Sequence, residues 1–375
     1  LDEAYLSTIE PLQSTPEENQ TEGEKLNIVY TSLHGAGITM VPAALAMWGF
    51  FNTHIVESQQ EPDGSFPTVP APNPEIHEAL KLGIDKLLQE EGDILLATDA
   101  DTDRVGCVVN HKGDITILDG NEIACLCLDH VLGALKEGDK KPACIKSIVT
   151  TELFKAICDS YGIACFDVLT GFKYIGQMIT SWDSSPDGYR YIFGGEESYG
   201  YLLSDYARDK DAIIACCLLA EAALQAKLQG KTLVDKLDDI YAKYGVYRTR
   251  LLSVNYPETK EGREKMESAM QTLRDNAPEK ILGTQVLRLD DFLKGTSVDL
   301  ITHEKTKLTL PKSDVLIFRL QDGTKICVRP SGTEPRIKLY CEARALHPSS
   351  TALGIEQCDV LTRDYLKTVE SILLP

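Results

Sequence analysis

Positive charge is what this 375-residue chain can least spare: 38 lysines and arginines stand against 57 aspartates and glutamates, a formal charge of −19. Without a cationic excess to neutralise phosphates, neither a nucleic acid nor an anionic membrane surface is an expected partner. Long apolar runs are lacking too, and none approaches the ~20 residues that span a bilayer. No internal repeat recurs at solenoid spacing. The 11 cysteines are odd in number. They sit in apolar segments; Cys125-Leu126-Cys127 and Cys216-Cys217 lack zinc-ligand spacing, so a disulfide framework or zinc site is not expected. Buried free thiols in a reducing, cytoplasmic setting fit better. What is present, 43% hydrophobic and 25% charged residues, is an ordinary globular composition. At roughly 100–200 residues per domain, the length suggests two to four domains. No signal peptide is visible. The chain opens on Leu1 with a polar, Pro- and Glu-rich stretch, so a longer protein cut at this point is expected.

Three blocks emerge, bordered at 1–119, 120–245 and 246–375. In the first, 26–32 reads as a buried strand and 37–48 as a helix. Asn73-Pro74 predicts the start of an amphipathic helix, an N-cap followed by proline. Ile76, Leu80, Ile84, Leu87 and Leu88 would share its apolar face and Gly92 would end it. A second buried strand covers 93–97, and strands at 105–109 and 115–118 flank His111-Lys112-Gly113 as a hairpin. The second block alternates helix 122–135, strand 144–150, helix 152–161 and strand 163–168, then closes with a long helix near 211–228. Such alternation predicts parallel, helix-covered layers. The third block has a half-buried strand at 248–255, a charged helix near 260–275, short strands and a terminal helix from about Leu353. The expected fold class is α/β: two consecutive three-layer α/β domains followed by a smaller α+β domain.

Asp99, Asp101 and Asp103 follow the second strand at i, i+2 and i+4. Crowded carboxylates repel unless a cation compensates, and hard oxygens suit Mg²⁺. An EF-hand would need Gly and Glu where Arg104 and Asn110 stand. The alternatives are a solvated acidic turn, or a phosphatase nucleophile in which Asp101 attacks phosphorus and Asp103 acts as acid. Between strand-like runs, Arg329 offers a guanidinium fork, Ser331 and Thr333 offer hydroxyls, and Gly332 offers accessible amides, between two prolines. That suits phosphate. A plain Pro-Gly turn is the bland alternative. Glu196 and Ser198, on a glycine-flanked loop, could bond sugar hydroxyls. Lys173 at a helix start could meet phosphate. The run Arg208-Asp209-Lys210-Asp211 reads as an exposed charged cap. Gly35-Ala36-Gly37 imitates a dinucleotide fingerprint, but Met40 stands at its third glycine. His34 is either a turn residue or a group facing the ligand.

In this order, SLHGAG (32–37), DADTDR (99–104), TGFKYIG (170–176), GGEESYG (194–200) and RPSGTEP (329–335) resemble signatures of the α-D-phosphohexomutase superfamily. The stretch 61–75 is similar to bacterial members of its larger, phosphopentomutase-related branch. The resemblance implies an isomerase, an intramolecular phosphotransferase that interconverts glucose 1-phosphate and glucose 6-phosphate. The route runs through glucose 1,6-bisphosphate, which is also the activator. Mannose or pentose phosphates are the alternative substrates. It implies three related α/β domains and a fourth resembling the TATA-binding-protein fold, the three blocks here being the second to fourth. The first, with a phosphoserine on a Ser-His-Asn-Pro-type loop, is not found among these residues. On this basis the chain is expected to be inactive alone, a phosphosugar-binding fragment. Asp99, Asp101 and Asp103 would bind Mg²⁺ together with that phosphoserine. Arg104 and Lys173 would lie near the reacting groups. His34, Glu196 and Ser198 would contact the sugar. Arg329, Ser331, Gly332 and Thr333 would grip the phosphate that does not react.

Overall fold

The computed structural model describes residues 1–374 except Glu137 and Asp139. The chain forms two compact units, Leu1–Ile240 and Tyr241–Pro375.

The first unit holds two sheets. One is built from β1 (Ile28–Thr31), β2 (Thr53–Ile55), β3 (Ile94–Thr98), β4 (Val105–His111) and β5 (Asp114–Leu118), in the order β2-β1-β3-β4-β5. β1 pairs in parallel with β2 and β3, and β3, β4 and β5 pair antiparallel. Every residue of β1 and β3 is buried, as expected for uninterrupted apolar strands covered on both faces. Val29, Leu95, Ala97 and Val108 meet Leu80, in the 3₁₀ turn His77–Leu80, and Leu87, in the covering helix Lys81–Gln89. Each such side chain contributes about 1.5–3 kcal/mol on burial. The second sheet is β6 (Pro142–Ser147), β7 (Ala164–Val168), β8 (Arg190–Glu196) and β9 (Gly200–Leu203), in the order β7-β6-β8-β9. Its centre is parallel and only β9 runs antiparallel.

The helix Ala212–Leu228 is apolar on nearly every side, and most of it is buried. A helix with no polar face must be enclosed. It packs on the helix Gly120–Gly133 and β9, and also on the helix Val41–Met47, β3 and β4. One helix thus serves both sheets, which is why residues on either side of 119 share a compact unit. No single helix among the described residues is long and apolar enough to cross a membrane. All 11 cysteines are free thiols, and all but Cys165 are buried.

The second unit is one antiparallel sheet with helices Lys260–Asp275 and Thr351–Leu373 packed against it. Its strands are β10 (Val246–Asn255), β11 (Lys280–Ile281), β12 (Thr284–Asp291), β13 (Thr296–Asp299), β14 (Lys305–Lys307), β15 (Leu316–Leu320), β16 (Lys325–Pro330) and β17 (Arg336–Ala345). Val254, Met266, Met270, Phe318, Leu339, Tyr365 and Val369 form its core. This is the α+β pattern expected of the third block.

Three local expectations need correction. The helix expected from Asn73 begins later, as a 3₁₀ turn His77–Leu80 leading into Lys81–Gln89. Asn73 instead caps a turn, its Oδ1 accepting the Glu75 N–H at 2.9 Å. Leu88 lies off the buried face, 49% exposed. The helix expected at 37–48 splits into a 3₁₀ turn Ala36–Thr39 and the helix Val41–Met47, with Pro42 in its first turn. Proline is favoured there because it has no N–H to bond.

Candidate active site

In open α/β sheets, ligands sit at the carboxyl ends of neighbouring strands where the chain's connections diverge. The first unit has two such points. In one sheet β2 and β3 lie on opposite sides of β1, so the point falls between the ends of β1 and β3. The loops 32–37 and 99–104 emerge there. In the other, β7 and β8 flank β6. The point falls between the ends of β6 and β8, where 148–151 and 197–199 emerge.

The acidic loop turns at Thr102, whose φ is +64°. Asp99 Oδ1 accepts the N–H groups of Asp103 at 3.0 Å and Arg104 at 2.9 Å. This brings carboxylate oxygens of Asp99, Asp101 and Asp103 within 4.8 Å of one another. Burial, aided by the charges of Asp103 and Asp101, pushes the Asp99 carboxyl up to about 7. Two cations face the loop. Lys210 Nζ lies 2.6 Å from Asp103 Oδ2. Arg104 Nε lies 3.7 Å from Asp103 and 3.8 Å from Asp99, while its Nη1 bonds Glu75 Oε1 at 3.0 Å. With Glu75 counted, carboxylates still outnumber cations. A hard-oxygen set short of positive charge fits Mg²⁺.

The loop 32–37 braces the acidic loop from behind. A Cβ on Gly35 would lie 2.6 Å from the Ala100 backbone, and Ala36 N–H donates to Ala100 O at 2.9 Å. The glycine is required by this contact, not by a dinucleotide. His34 is 5% exposed, and both its ring nitrogens are engaged. Nδ1 lies 3.2 Å from Glu61 O and Nε2 lies 2.9 Å from Thr68 Oγ1. His34 thereby ties the loop 32–37 to the 61–68 segment.

On the loop 194–200, expected to be the sugar loop, Glu196 is 4% exposed, and its Oε1 accepts the Gly171 N–H at 2.6 Å. Gly171, at φ +120°, is in backbone territory open essentially to glycine. It precedes the helix Phe172–Asp183. Lys173 projects from the first turn of that helix, exposed, its ammonium 5.1 Å from the Tyr174 ring centre. Ser198 is half-buried. The acidic loop is tied to two neighbours: Val105 N–H, just after it, donates to Tyr199 O at 3.0 Å on the loop 194–200, and Ala212 N–H, at the start of the helix Ala212–Leu228, donates to Thr102 O at 3.1 Å. Lys210 also lies 5.9 Å from the Phe172 ring centre. Burial works against its charge, yet the bond to Asp103 holds its ammonium above the ordinary value. Lys210 is thus no exposed cap. Its side chain is 15% exposed, and the cap of the following helix is Asp211, which accepts from Ile213 and Ile214 N–H. Glu75 and Glu197 are further charged groups that sequence reasoning left out. Glu75 lies in the 61–75 stretch and Glu197 beside Glu196, but nothing in their spacing marks a role.

In the second unit, residues 331–335 join β16 to β17. Ser331 N–H donates to Arg336 O at 2.7 Å. Ser331 Oγ accepts the N–H groups of Thr333 and Glu334, each at 3.4 Å. Tyr256 N–H anchors Pro335 O at 2.8 Å. Arg329 is half-buried and has no ion pair among the described residues. Gly332 and Thr333 are exposed. Apart from its chain neighbours, no protein atom lies within 4 Å of where a Gly332 Cβ would sit, so packing does not demand glycine there.

Comparison with known proteins gives three matches along the chain. Models of phosphoglucomutase/phosphomannomutase alpha/beta/alpha domain II, alpha/beta/alpha domain III and C-terminal domain match residues 3–113, 119–244 and 251–346. A phosphoglucomutase of Staphylococcus epidermidis is 36% identical over 346 residues, which is 92% of this chain and 61% of that protein. One of Staphylococcus aureus is 37% identical over 316 residues, 84% of this chain and 56% of that protein. The chain therefore spans about three fifths of the length of these relatives. Among solved structures, parafusin, a phosphoglucomutase from Paramecium, matches in its open form with TM-score 0.67 and 16% identity. That match covers 99% of this chain and 62% of parafusin. A phosphoglucomutase/phosphomannomutase family protein of Burkholderia thailandensis matches with TM-score 0.62 and 17% identity, covering 100% and 65%. At these identities the structures speak for the fold. Matched along all three blocks, and identical to the staphylococcal proteins at more than a third of aligned positions, the chain belongs to the phosphoglucomutase/phosphomannomutase family.

Proposed function

We propose that this chain is the metal-, sugar- and phosphate-binding part of a cytoplasmic phosphoglucomutase-type isomerase. The reaction would interconvert glucose 1-phosphate and glucose 6-phosphate through glucose 1,6-bisphosphate. We take 1–119, 120–245 and 246–375 as its domains. The observation that carries the reading is the joining of the acidic loop to the sugar loop through Lys210, which pairs with Asp103 and packs against Gly200, and through the Val105–Tyr199 bond.

Phosphoryl transfer is mostly positioning and charge neutralisation. Mg²⁺ held by Asp99, Asp101 and Asp103 would supply positive charge opposite the phosphoryl oxygens. Arg104 would present its donors to the transferring phosphate, with Glu75 fixing the guanidinium. Lys173, exposed on its helix turn, is free to reach the same group. Glu196 and Ser198 would bond sugar hydroxyls, and Arg329, Ser331, Gly332 and Thr333 would hold the other phosphate. Each charge-assisted bond of that kind is worth about 1.5–3 kcal/mol. The phosphate itself would be carried by a serine that these residues do not supply.

Purified chain given glucose 1-phosphate, Mg²⁺ and a trace of glucose 1,6-bisphosphate is expected to yield no glucose 6-phosphate. Glucose 6-phosphate from uncontaminated chain would contradict the placing of the phosphoryl carrier outside these residues. Release of inorganic phosphate would favour Asp101 as a nucleophile instead.

A further inference from the structure

Glu197 follows the sugar-reading Glu196, yet its side chain reaches back into the protein. Its Oε2 accepts from Ser147 Oγ at 3.2 Å. Ser147 is fully buried at the end of β6, and its hydroxyl lies 2.9 Å from that of Thr150. Thr150 Oγ1 in turn donates to Gly195 O at 3.5 Å. One hydroxyl pair therefore grips the chain on both sides of Glu196, across the divergence point between β6 and β8. On the opposite side the Glu197 carbonyl is pressed against Gly120, where a Cβ would stand 2.0 Å away. The charges that act most strongly on Glu197 are Glu196 and Glu75, both acidic; the buried Lys146 ammonium bonds Thr150 O at 3.3 Å but pairs with Asp167 at 2.8 Å and Glu152 at 3.4 Å.

Resting on the sugar-site reading above, we propose that Glu197 is a positioning residue for the sugar loop. Its carboxyl, anchored on Ser147 and Thr150, sets the direction in which Glu196 and Ser198 are presented to a phosphosugar. Burial, then the neighbouring Glu196, raises the Glu197 carboxyl to about 7. Folding thus favours its protonated form. The Ser147 bond by itself favours the carboxylate, but burial outweighs it, so the loop packs most fully on the acid side and loosens as pH rises through about 7, when a second carboxylate appears beside Glu196.

Hydrogen exchange of the 194–200 amides, corrected for intrinsic rates and read without sugar, tests this. Wild type, Glu197→Gln and Glu197→Ala would be compared at about pH 6 and about pH 8. Wild-type protection is expected to fall about tenfold between them, the equivalent of one pK unit. The Gln variant, permanently neutral and of equal size, stays protected at both, and the Ala variant is exposed at both. Calorimetric affinity for glucose 1-phosphate in Mg²⁺ follows the same pattern. Identical pH profiles for wild type and Gln, or undiminished protection in Ala, would overturn the proposal. The expected exchange pattern with no phosphosugar bound by any variant would instead overturn the sugar-site reading and leave the loop anchoring supported.

Discussion

Lys210 shows how one side chain can define a site that its neighbours in sequence conceal. Its ammonium neutralises Asp103 at 2.6 Å from inside a largely enclosed position. Removing one partner of such a pair strands the other, at a cost of about 1–3 kcal/mol. Lys210→Met is expected to lower the melting temperature, and Mg²⁺ to restore more of it than the cation adds to wild type. Thermal melts with and without Mg²⁺ check this, and equal Mg²⁺ responses would refute it. The gathering of the three aspartates in one loop was legible from their spacing after a buried strand, where crowded carboxylates repel one another unless positive charge is brought to them. Lys210 was not, since a Lys among Arg208, Asp209 and Asp211 has no periodicity that separates a buried pair from a solvated cap. His34 was legible as a loop residue, but its partners Glu61 and Thr68 lie 27 and 34 residues away.

The apolar strands β1 and β3 were read to within two residues at each end, because burial on both faces gives an uninterrupted apolar run. The helix after Asn73 was misplaced for an instructive reason. Its cap signal is spent on a turn that leaves Glu75 outside the helix, where it can reach Arg104 at 3.0 Å. A local cap and a long-range ion pair compete for one segment, and only the first is written locally. The same logic makes the 32–37 loop a support of the acidic loop. Gly35→Ala would force a methyl to 2.6 Å from the Ala100 backbone. Overpacking of this kind costs about 1–3 kcal/mol. The expected outcome is a lower melting temperature together with weaker Mg²⁺ binding by calorimetry. Loss of stability with unchanged Mg²⁺ affinity would separate the two loops.

The division into two compact units has consequences for what can fold alone. The second unit has its own core, from Val254 to Leu373. Expressed as residues 241–375 it is expected to unfold in one cooperative transition. The span 1–119 is not expected to do so. It lacks the helix Ala212–Leu228, which covers β3 and β4. Solution spectroscopy and denaturant melts of both pieces would check this contrast. The strand–helix alternation of the first 245 residues was legible, but the sharing of one buried helix between two sheets was not. An all-apolar helix shows that it is enclosed without showing by what.

The proposed function stands or falls on whether this chain holds a phosphosugar through the Arg329 loop. The measurement is a calorimetric titration with glucose 1-phosphate in Mg²⁺, run beside Arg329→Ala. Saturable heat in wild type is expected, with affinity reduced about tenfold or more in the variant, the worth of one charge-assisted bond. No heat into the millimolar range, or the same affinity in both proteins, would contradict it.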